Sequence, residues 1–414
     1  MKISPNTLLA SLIALASVGG AVLHGKKISK QLKSSPAQEQ QIAELQRQVG
    51  VLQAENETLK KLQLSTEVTL PDSHYTFVED NLGLTFPAHI KARRVDEDTL
   101  MEAVSYRYTE RFGIEGMEMR EYALARVGIL PADQVLLTQL AMAETAGAVC
   151  IYDSSANELL LSASYDEENL FHATSVIKQL SIALLETVFP LTKQQAVNLT
   201  DDFYFARNGF IRGRSTSIAQ RYRNITAFKG EHSKKIPIDP AAQKLFNSLP
   251  SLVQGLTTFP AIHGKTYIEE IIFNNNSVFP EIYKNMPRST ATIFAKTMPA
   301  EKEFTPQPDI ADDEHLNTQL GQVFAMLYLQ QSEDSPADLH QKLTSDRLTI
   351  SQDLEDPLNR NQFISKWSTY WQEPEDAQTF YQLATQLSKL SDHKPTVTIS
   401  ENQVIIQFID IHNS

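Results

Sequence analysis

The stretch FHATSVIKQLSIALLETVF, residues 171–189, organises the rest of this sequence. Apolar side chains recur along it at helical spacing and form one stripe: Ala173, Val176, Ile177, Leu180, Ala183 and Leu184. Ile182, Leu185 and Phe189 fall on the opposite side, beside Lys178. A helix that is apolar on nearly its whole circumference is usually buried at the centre of its domain. The stretch therefore predicts a buried central helix.

The flanking segments predict a hairpin before this helix and a second core helix after it. AGAVCIYDSSANELLLSAS, residues 146–164, indicates two strands joined by a turn at 153–157. The second helix, Asp201 to Tyr222, carries FIRGRSTSIAQRY at 210–222. Further predictions are three helices between Val95 and Leu140, a helix over 315–331, and a C-terminal hairpin of strands 396–400 and 403–408.

This order resembles a family of bacterial zincin-type metallopeptidases of the gluzincin-like kind, in which a hairpin leads into an HExxH helix and a second helix supplies a glutamate. Shorter matches follow in FPAIHGKTY at 259–267, Asp346-Arg347 and WQEPEDAQTF at 371–380, so that the resemblance spans roughly 94 to 390. It implies an α+β, predominantly helical chain with a zincin-like fold over 146–414, after a helical subdomain over 66–145.

The chemistry of that family is missing at the matching positions. Lys178 and Ile182 stand where the two histidines would be, Gln179 stands at the catalytic glutamate, and Arg212 stands at the third ligand. Protonated lysine and isoleucine do not ligate zinc, and glutamine is no base at neutral pH. The resemblance therefore implies a degenerate member, with no catalytic residue, no metal and no cofactor. Among the ten histidines no two lie three to five positions apart.

The substitutions would place two cations, Lys178 and Arg212, where relatives hold a metal ion. Two cations repel each other unless a carboxylate or a bound anion lies between them. The position is thus expected to be either an internal ion-paired plug or a small anion pocket. The apolar side chains of Ile182 and Leu185 favour the plug.

The N-terminal region predicts attachment and dimerisation. Residues 1–25 contain the uncharged apolar run LLASLIALASVGGAVL at 8–23, typical of a signal peptide or an N-terminal membrane anchor. Residues 36–64 repeat apolar side chains at three and four positions, with an asparagine in the same seam: Ile42, Leu45, Val49, Leu52, Asn56 and Leu59. This pattern favours a coiled-coil homodimer, and the alternative is one amphipathic helix lying on the domain or the membrane.

Composition excludes some classes of function. The 414 residues carry a net charge of −13, which argues against a nucleic-acid binder. The single cysteine, Cys150, excludes an internal disulfide and is expected to be a small buried hydrophobe. No nucleophile-elbow, P-loop or dinucleotide-binding motif is present.

Three functions stay open on the sequence. The first is a non-catalytic, pseudopeptidase-like domain of the cell envelope, membrane-anchored or exported, that binds a protein or envelope partner through the former substrate cleft. The second is a hydrolase that reuses the cleft with carboxylates or an unrecognised metal site. The third is a structural envelope spacer.

Overall fold

A computed structural model describes residues 67–191, 199–229, 239–274, 281–284, 286–299, 314–352 and 362–411. Residues 64–414 cluster as one compact unit, and its architecture is α+β and rich in helix. The hydrophobic segment expected within residues 1–25 and the coiled coil expected over 36–64 lie outside the described residues. Within the described ranges, no helix is both long enough and apolar enough to span a bilayer.

The chain enters through a short strand and a helix and then forms three helices in succession. The elements are β1 (Glu67–Val68), α1 (Asp72–Leu82), β2 (Lys91–Val95), α2 (Glu97–Phe112), α3 (Ile114–Arg126) and α4 (Leu136–Thr145). Asp96 caps α2, because its carboxylate accepts a hydrogen bond from the Thr99 backbone N–H at 2.9 Å. Gly128, at φ +79°, follows α3 and redirects the chain towards α4. The prediction of three helices is confirmed.

The predicted hairpin is confirmed as β3 (Cys150–Asp153) and β4 (Glu158–Ser162). Its turn is held by Asp153, whose carboxylate accepts a hydrogen bond from the Ser155 backbone N–H. The hairpin belongs to a four-stranded sheet of order β1-β2-β4-β3, in which β2 runs parallel to β4. This sheet joins residues on both sides of the boundary expected at 145/146.

The central helix α5 (Leu170–Val188) packs along the long helix α6 (Asp201–Lys229). Six consecutive side chains of α5, from Leu180 to Leu185, are buried. A run of this length covers every side of a helix, so α5 is surrounded by protein as the sequence predicts. Cys150 on β3 is buried as well, as expected.

The helices that follow α6 include a backbone-to-backbone contact. They are α7 (Pro240–Ser248), α8 (Ser251–Phe259), a π-helical turn (Pro260–Gly264), α9 (Lys265–Asn274), α10 (Glu281–Lys284) and α11 (Thr290–Ala295). A Cβ atom on Gly264 would lie 2.0 Å from the Gly209 carbonyl oxygen, and one on Gly213 would lie 2.3 Å from the Gly264 carbonyl carbon. Only glycine allows this approach of the π-helical turn to α6.

The C-terminal part is a five-stranded antiparallel sheet of order β5-β6-β7-β9-β8. It contains β5 (Glu314–Thr318), α12 (Gly321–Leu329), a 3-10 turn (Leu339–Lys342), β6 (Leu343–Gln352), β7 (Gln362–Trp371), α13 (Pro374–Leu390), β8 (Thr396–Ser400) and β9 (Gln403–Ile411). The predicted C-terminal hairpin is confirmed.

The prediction of one helix over 315–331 is wrong in its first part. Residues Glu314–Thr318 form a strand paired with β6, and α12 begins only at Gly321. Gly321 adopts φ +77°, a conformation that a continuing right-handed helix does not contain. Pairing with a distant strand therefore overrides the helical interpretation of this segment.

Candidate functional site

Glu144, near the end of α4, is the centre of a buried charged cluster. Its Oε2 accepts a hydrogen bond from Arg212 of α6 at 2.7 Å and one from Arg107 of α2 at 2.5 Å. Its Oε1 accepts a hydrogen bond from the Tyr108 hydroxyl at 2.7 Å. Burial alone would raise the pKa of Glu144, but the two guanidinium groups outweigh it and hold that pKa well below its usual range. Glu144 is therefore a fixed negative charge.

Lys178 of α5 belongs to the same cluster, which we call the ion cluster: Arg107, Glu144, Lys178 and Arg212. Burial and the nearby Arg212 lower the pKa of Lys178 to about 8, and the attraction of Glu144 opposes them. Among the described residues, the Lys178 amine forms no ion pair within 4 Å. The cluster thus holds three cations against one carboxylate.

The other two positions given by the resemblance have local structural roles. The side-chain oxygen of Gln179 accepts a hydrogen bond from the backbone N–H of Tyr152 on β3, at 3.1 Å. Gln179 therefore ties the central helix to the end strand of the first sheet. Ile182 is 4 % exposed and belongs to the hydrophobic core. The structure brings Lys178 and Arg212 into one electrostatic cluster but assigns Gln179 and Ile182 to packing.

A small cavity adjoins the ion cluster at Arg107. It measures about 10 Å³ and is lined partly by Arg107, Tyr204 and Arg207. This is close to the smallest volume that holds one water molecule. The side chains of Lys178, Gln179, Ile182 and Arg212 offer no set of zinc ligands.

A second buried polar region, which we call the carboxylate junction, holds Asp202 and Asp346. Asp202, at the start of α6, accepts hydrogen bonds from the backbone N–H and hydroxyl of Thr290, the first residue of α11. Asp346, on β6, accepts three: from the backbone N–H groups of Leu320 and Gly321, and from Trp367 Nε1 at 2.8 Å. The two carboxylates therefore hold the N-termini of α11 and α12.

The junction borders a cavity of about 180 Å³, which Arg288 also lines. Burial raises the pKa of Asp346 to about 7, and the neighbouring Asp202 adds to this, although the Trp367 and backbone donors oppose it. Burial likewise raises the pKa of Asp202. Two carboxyl groups with raised pKa values beside a cavity are a recurrent feature of acid–base sites, and also of buried structural networks.

A third cavity, of about 660 Å³, lies on the side of the π-helical turn. Its apolar wall is formed by Ile262, Ile293, Phe294, Met326 and Leu329. Two imidazoles, His263 and His340, stand beside this wall, and the Phe294 ring contacts both, with centroid distances of 5.0 and 4.6 Å. We call this space the histidine cavity.

Burial lowers the pKa of both imidazoles of the histidine cavity. Burial, and next the nearby His263, lower the pKa of His340 to about 4. Burial, and next Lys296, lower the pKa of His263. His340 is 5 % exposed, and its Nε2 atom has no hydrogen-bond partner among the described residues.

Sequence reasoning missed Glu144, Asp202 and the pair His263 and His340. One signal for Glu144 was available in the sequence. Glu144 is the only charged residue of the helix LLTQLAMAET, residues 136–145. A lone charge on a buried helix requires a partner of opposite sign. For the histidines there was none, because 77 positions separate them along the chain.

Comparison with known proteins assigns no family. No family model matches the chain, and no curated protein and no solved structure matches it either.

Proposed function

We propose that this chain is a non-catalytic, zincin-like protein of the cell envelope that binds a partner. The observation that carries the proposal is that Glu144 accepts hydrogen bonds from both Arg107 and Arg212. A carboxylate in the position between Arg107 and Arg212 gives the arginine at the third-ligand position an ionic partner, so that this position holds an ion pair where relatives hold a metal ion.

Glu144 is also a poor candidate for a general base. A catalytic base works best with a pKa near the operating pH, whereas both arginines hold the pKa of Glu144 far below neutrality. The neighbouring Gln179 carries no titratable group, and its oxygen already accepts a hydrogen bond from Tyr152. We call the four positions that match the family's metal ligands and catalytic glutamate the register positions: Lys178, Gln179, Ile182 and Arg212. Their residues therefore support packing and ion pairing.

The experiment is to measure zinc in the purified full-length chain and to compare its thermal unfolding with and without EDTA. We expect substoichiometric zinc and an unchanged melting temperature, because none of the four side chains at the register positions is a suitable ligand. One equivalent of zinc together with a melt that EDTA lowers would refute the proposal.

The partner part of the proposal has its own test. We propose that the segment 36–64 pairs two copies and that residues 1–25 hold them at or beyond the membrane, which leaves the folded unit to recognise a protein or envelope component. Analytical ultracentrifugation of the full-length chain should give a dimer, and replacing Leu45 and Leu52 with Asp should give a monomer. A monomeric wild type would remove dimerisation.

A second candidate function, a carboxylate-dependent hydrolase, is favoured by the carboxylate junction. Asp346, with a pKa of about 7, would be the proton donor or acceptor and Asp202 its charged neighbour. Both oxygens of Asp346 already accept hydrogen bonds, from the backbone N–H groups of Leu320 and Gly321 and from Trp367 Nε1. This weighs against the candidate. A hydrolytic activity on peptide, ester or glycoside substrates that disappears in Asp346→Asn, with the fold retained, would establish it.

A further inference from the structure

We propose that the small cavity beside the ion cluster is a binding site for a monatomic inorganic anion, of which chloride is the representative. Three arginines from two helices line it: Arg107 and Arg111 of α2 and Arg207 of α6. We call it the arginine cavity. The inference goes beyond the proposed function and does not depend on it, since none of the register positions lines this cavity.

Arg207 is a buried cation without an ionic partner. It is 8 % exposed, and its Nη2 donates a hydrogen bond to the Phe189 carbonyl oxygen at 2.5 Å. In the part of the chain that the structure describes, no carboxylate lies within 4 Å of its guanidinium nitrogens. A carbonyl dipole compensates a full charge only in part, and an unpaired buried charge is unfavourable. An anion in the adjoining cavity would supply the missing partner.

The other two arginines are only partly compensated. Arg107 shares its carboxylate, Glu144, with Arg212. For Arg111, the one carboxylate within 4 Å among the described residues is that of its neighbour Glu110, at 3.9 Å. Such a partly exposed pair contributes little. None of the three guanidinium groups therefore has a carboxylate to itself at hydrogen-bond distance.

Arg111 and Arg207 also act on each other. Burial lowers the pKa of Arg207, Glu186 opposes this effect, and Arg111 adds to it. The two guanidinium groups therefore lie near enough to repel each other. Because arginine keeps its proton at physiological pH, loss of a proton does not relieve this repulsion. A negative charge between the two groups does.

The lining of the arginine cavity carries more positive than negative charge. Glu186 is the one acid in the lining as described, and it forms no ion pair within 4 Å with any of the three arginines. The chain between Leu191 and Leu199, which both line the cavity, contains no acidic residue either. Three cations against one carboxylate leave a net charge of +2 in the lining. The cavity therefore favours an anion over a neutral or cationic ligand.

The volume of the cavity selects the class of anion. It measures about 10 Å³, close to the space of one water molecule. Phosphate, sulfate and carboxylates place two or more oxygen atoms around a central atom and need more room than this, whereas a halide needs a site for one atom. Tyr204 and Asn208 belong to the same lining and carry neutral donors that a halide accepts.

The test is thermal unfolding of the full-length protein at constant pH and ionic strength, with sodium gluconate replaced stepwise by sodium chloride. Gluconate is too large for the cavity and serves as the reference anion. We expect the melting temperature to rise saturably by about 2–4 °C, because a ligand that binds only the native state stabilises it. No rise, or a rise without saturation, would overturn the proposal. An equal rise with phosphate at the same ionic strength would overturn the restriction to monatomic anions.

Three variants locate the site. Arg207→Met removes the buried charge and retains most of the side-chain volume, so the chloride-dependent rise should disappear. Arg111→Gln, whose side chain is 25 % exposed in the native protein, should raise the chloride concentration of half-maximal effect several-fold and serves if Arg207→Met does not fold. Arg223→Gln, at an exposed arginine of the same helix α6, is the control and should follow the wild type.

A wild-type response to chloride in both Arg207→Met and Arg111→Gln would contradict the assignment. Zinc at the register positions would refute the proposed function and would leave these results unaffected.

Discussion

The ion cluster and the carboxylate junction solve the same problem, the burial of charge, in opposite ways. In the ion cluster one carboxylate, Glu144, faces three cationic side chains from three other helices. In the carboxylate junction two carboxylates, Asp202 and Asp346, face mainly backbone N–H groups at helix N-termini and neutral side-chain donors.

The difference shows what each region depends on. Arginine keeps its charge on burial, so the two guanidinium groups of the ion cluster depend on its single acid, Glu144. Helix N-termini offer fixed partial positive charge and geometry, so the carboxylate junction depends on where the backbone runs. We therefore expect the ion cluster to respond to changes of charge and the junction to changes of shape.

The largest effect is expected for Glu144→Ala. It leaves Arg107, Arg212 and Lys178 buried together without a negative partner, and removing one member of a buried pair costs about 3–5 kcal/mol. Urea unfolding of the full-length chain measures the loss, and Glu102→Gln, an exposed acid on α2, is the control with an expected change below about 0.5 kcal/mol. A loss below about 1 kcal/mol for Glu144→Ala would show that the cations do not rely on this acid.

Gly321→Ala tests the dependence of the junction on shape. Gly321 adopts φ +77°, and a Cβ atom there would lie 1.8 Å from Asp202 Oδ1. We expect a loss of about 3 kcal/mol from the strained backbone and the collision together.

Gly83→Ala is the matched control for Gly321→Ala. Gly83 has a similar φ of +65°, but nothing lies within 4 Å of the added methyl group. Backbone strain alone should therefore cost about 1 kcal/mol. Equal losses in the two variants would mean that contact with Asp202 contributes nothing.

Lys178→Met is expected to stabilise the protein. Methionine fills a similar volume without the charge, and the pKa of about 8 shows that the native environment disfavours protonated Lys178. The free energy of unfolding at pH 7 should rise by about 1–3 kcal/mol. The advantage should shrink as the pH rises above 8, because native Lys178 then loses its proton. Lys91→Met, at an exposed position of β2, should change stability little, and a destabilised Lys178→Met would contradict the excess of cations.

The smallest expected effect is a pH dependence carried by Asp346. Its native pKa of about 7 lies above the ordinary value of 3.8, so the native state favours the neutral form. The resulting stabilisation is complete below about pH 3.8 and is lost as the pH rises through 7. Between pH 6 and pH 8 the wild type should lose about 1 kcal/mol more than Asp346→Asn. The exposed variant Asp133→Asn should follow the wild type, and parallel curves for wild type and Asp346→Asn would exclude this titration.

Periodicity within one segment predicted the elements whose burial is local. The central helix, the hairpin at 150–162, the three helices after Val95 and the C-terminal hairpin are confirmed because each carries its own apolar pattern or turn residues. β5 was missed because its polar residues Asn317 and Thr318 are buried and form hydrogen bonds with distant residues. Arg347 donates to Asn317, and Thr318 donates to Asp201.

The same limit applies to the sites. The sequence predicted that Lys178 and Arg212 would need an intervening acid or anion, from charge alone. It did not identify Glu144, since 34 positions separate it from Lys178 and only the packing of α4 against other helices brings it near. The histidine cavity lies between the π-helical turn, α11, α12 and the segment around the 3-10 turn. No pattern within one of these segments predicts it.

The glycine contact between α6 and the π-helical turn has a mechanical consequence. Arg212 lies between Gly209 and Gly213 on one side of the contact, and His263 directly precedes Gly264 on the other. Backbones this close do not slide past each other without collision. The three glycines therefore fix the separation between the backbone that carries Arg212 and the backbone that carries His263.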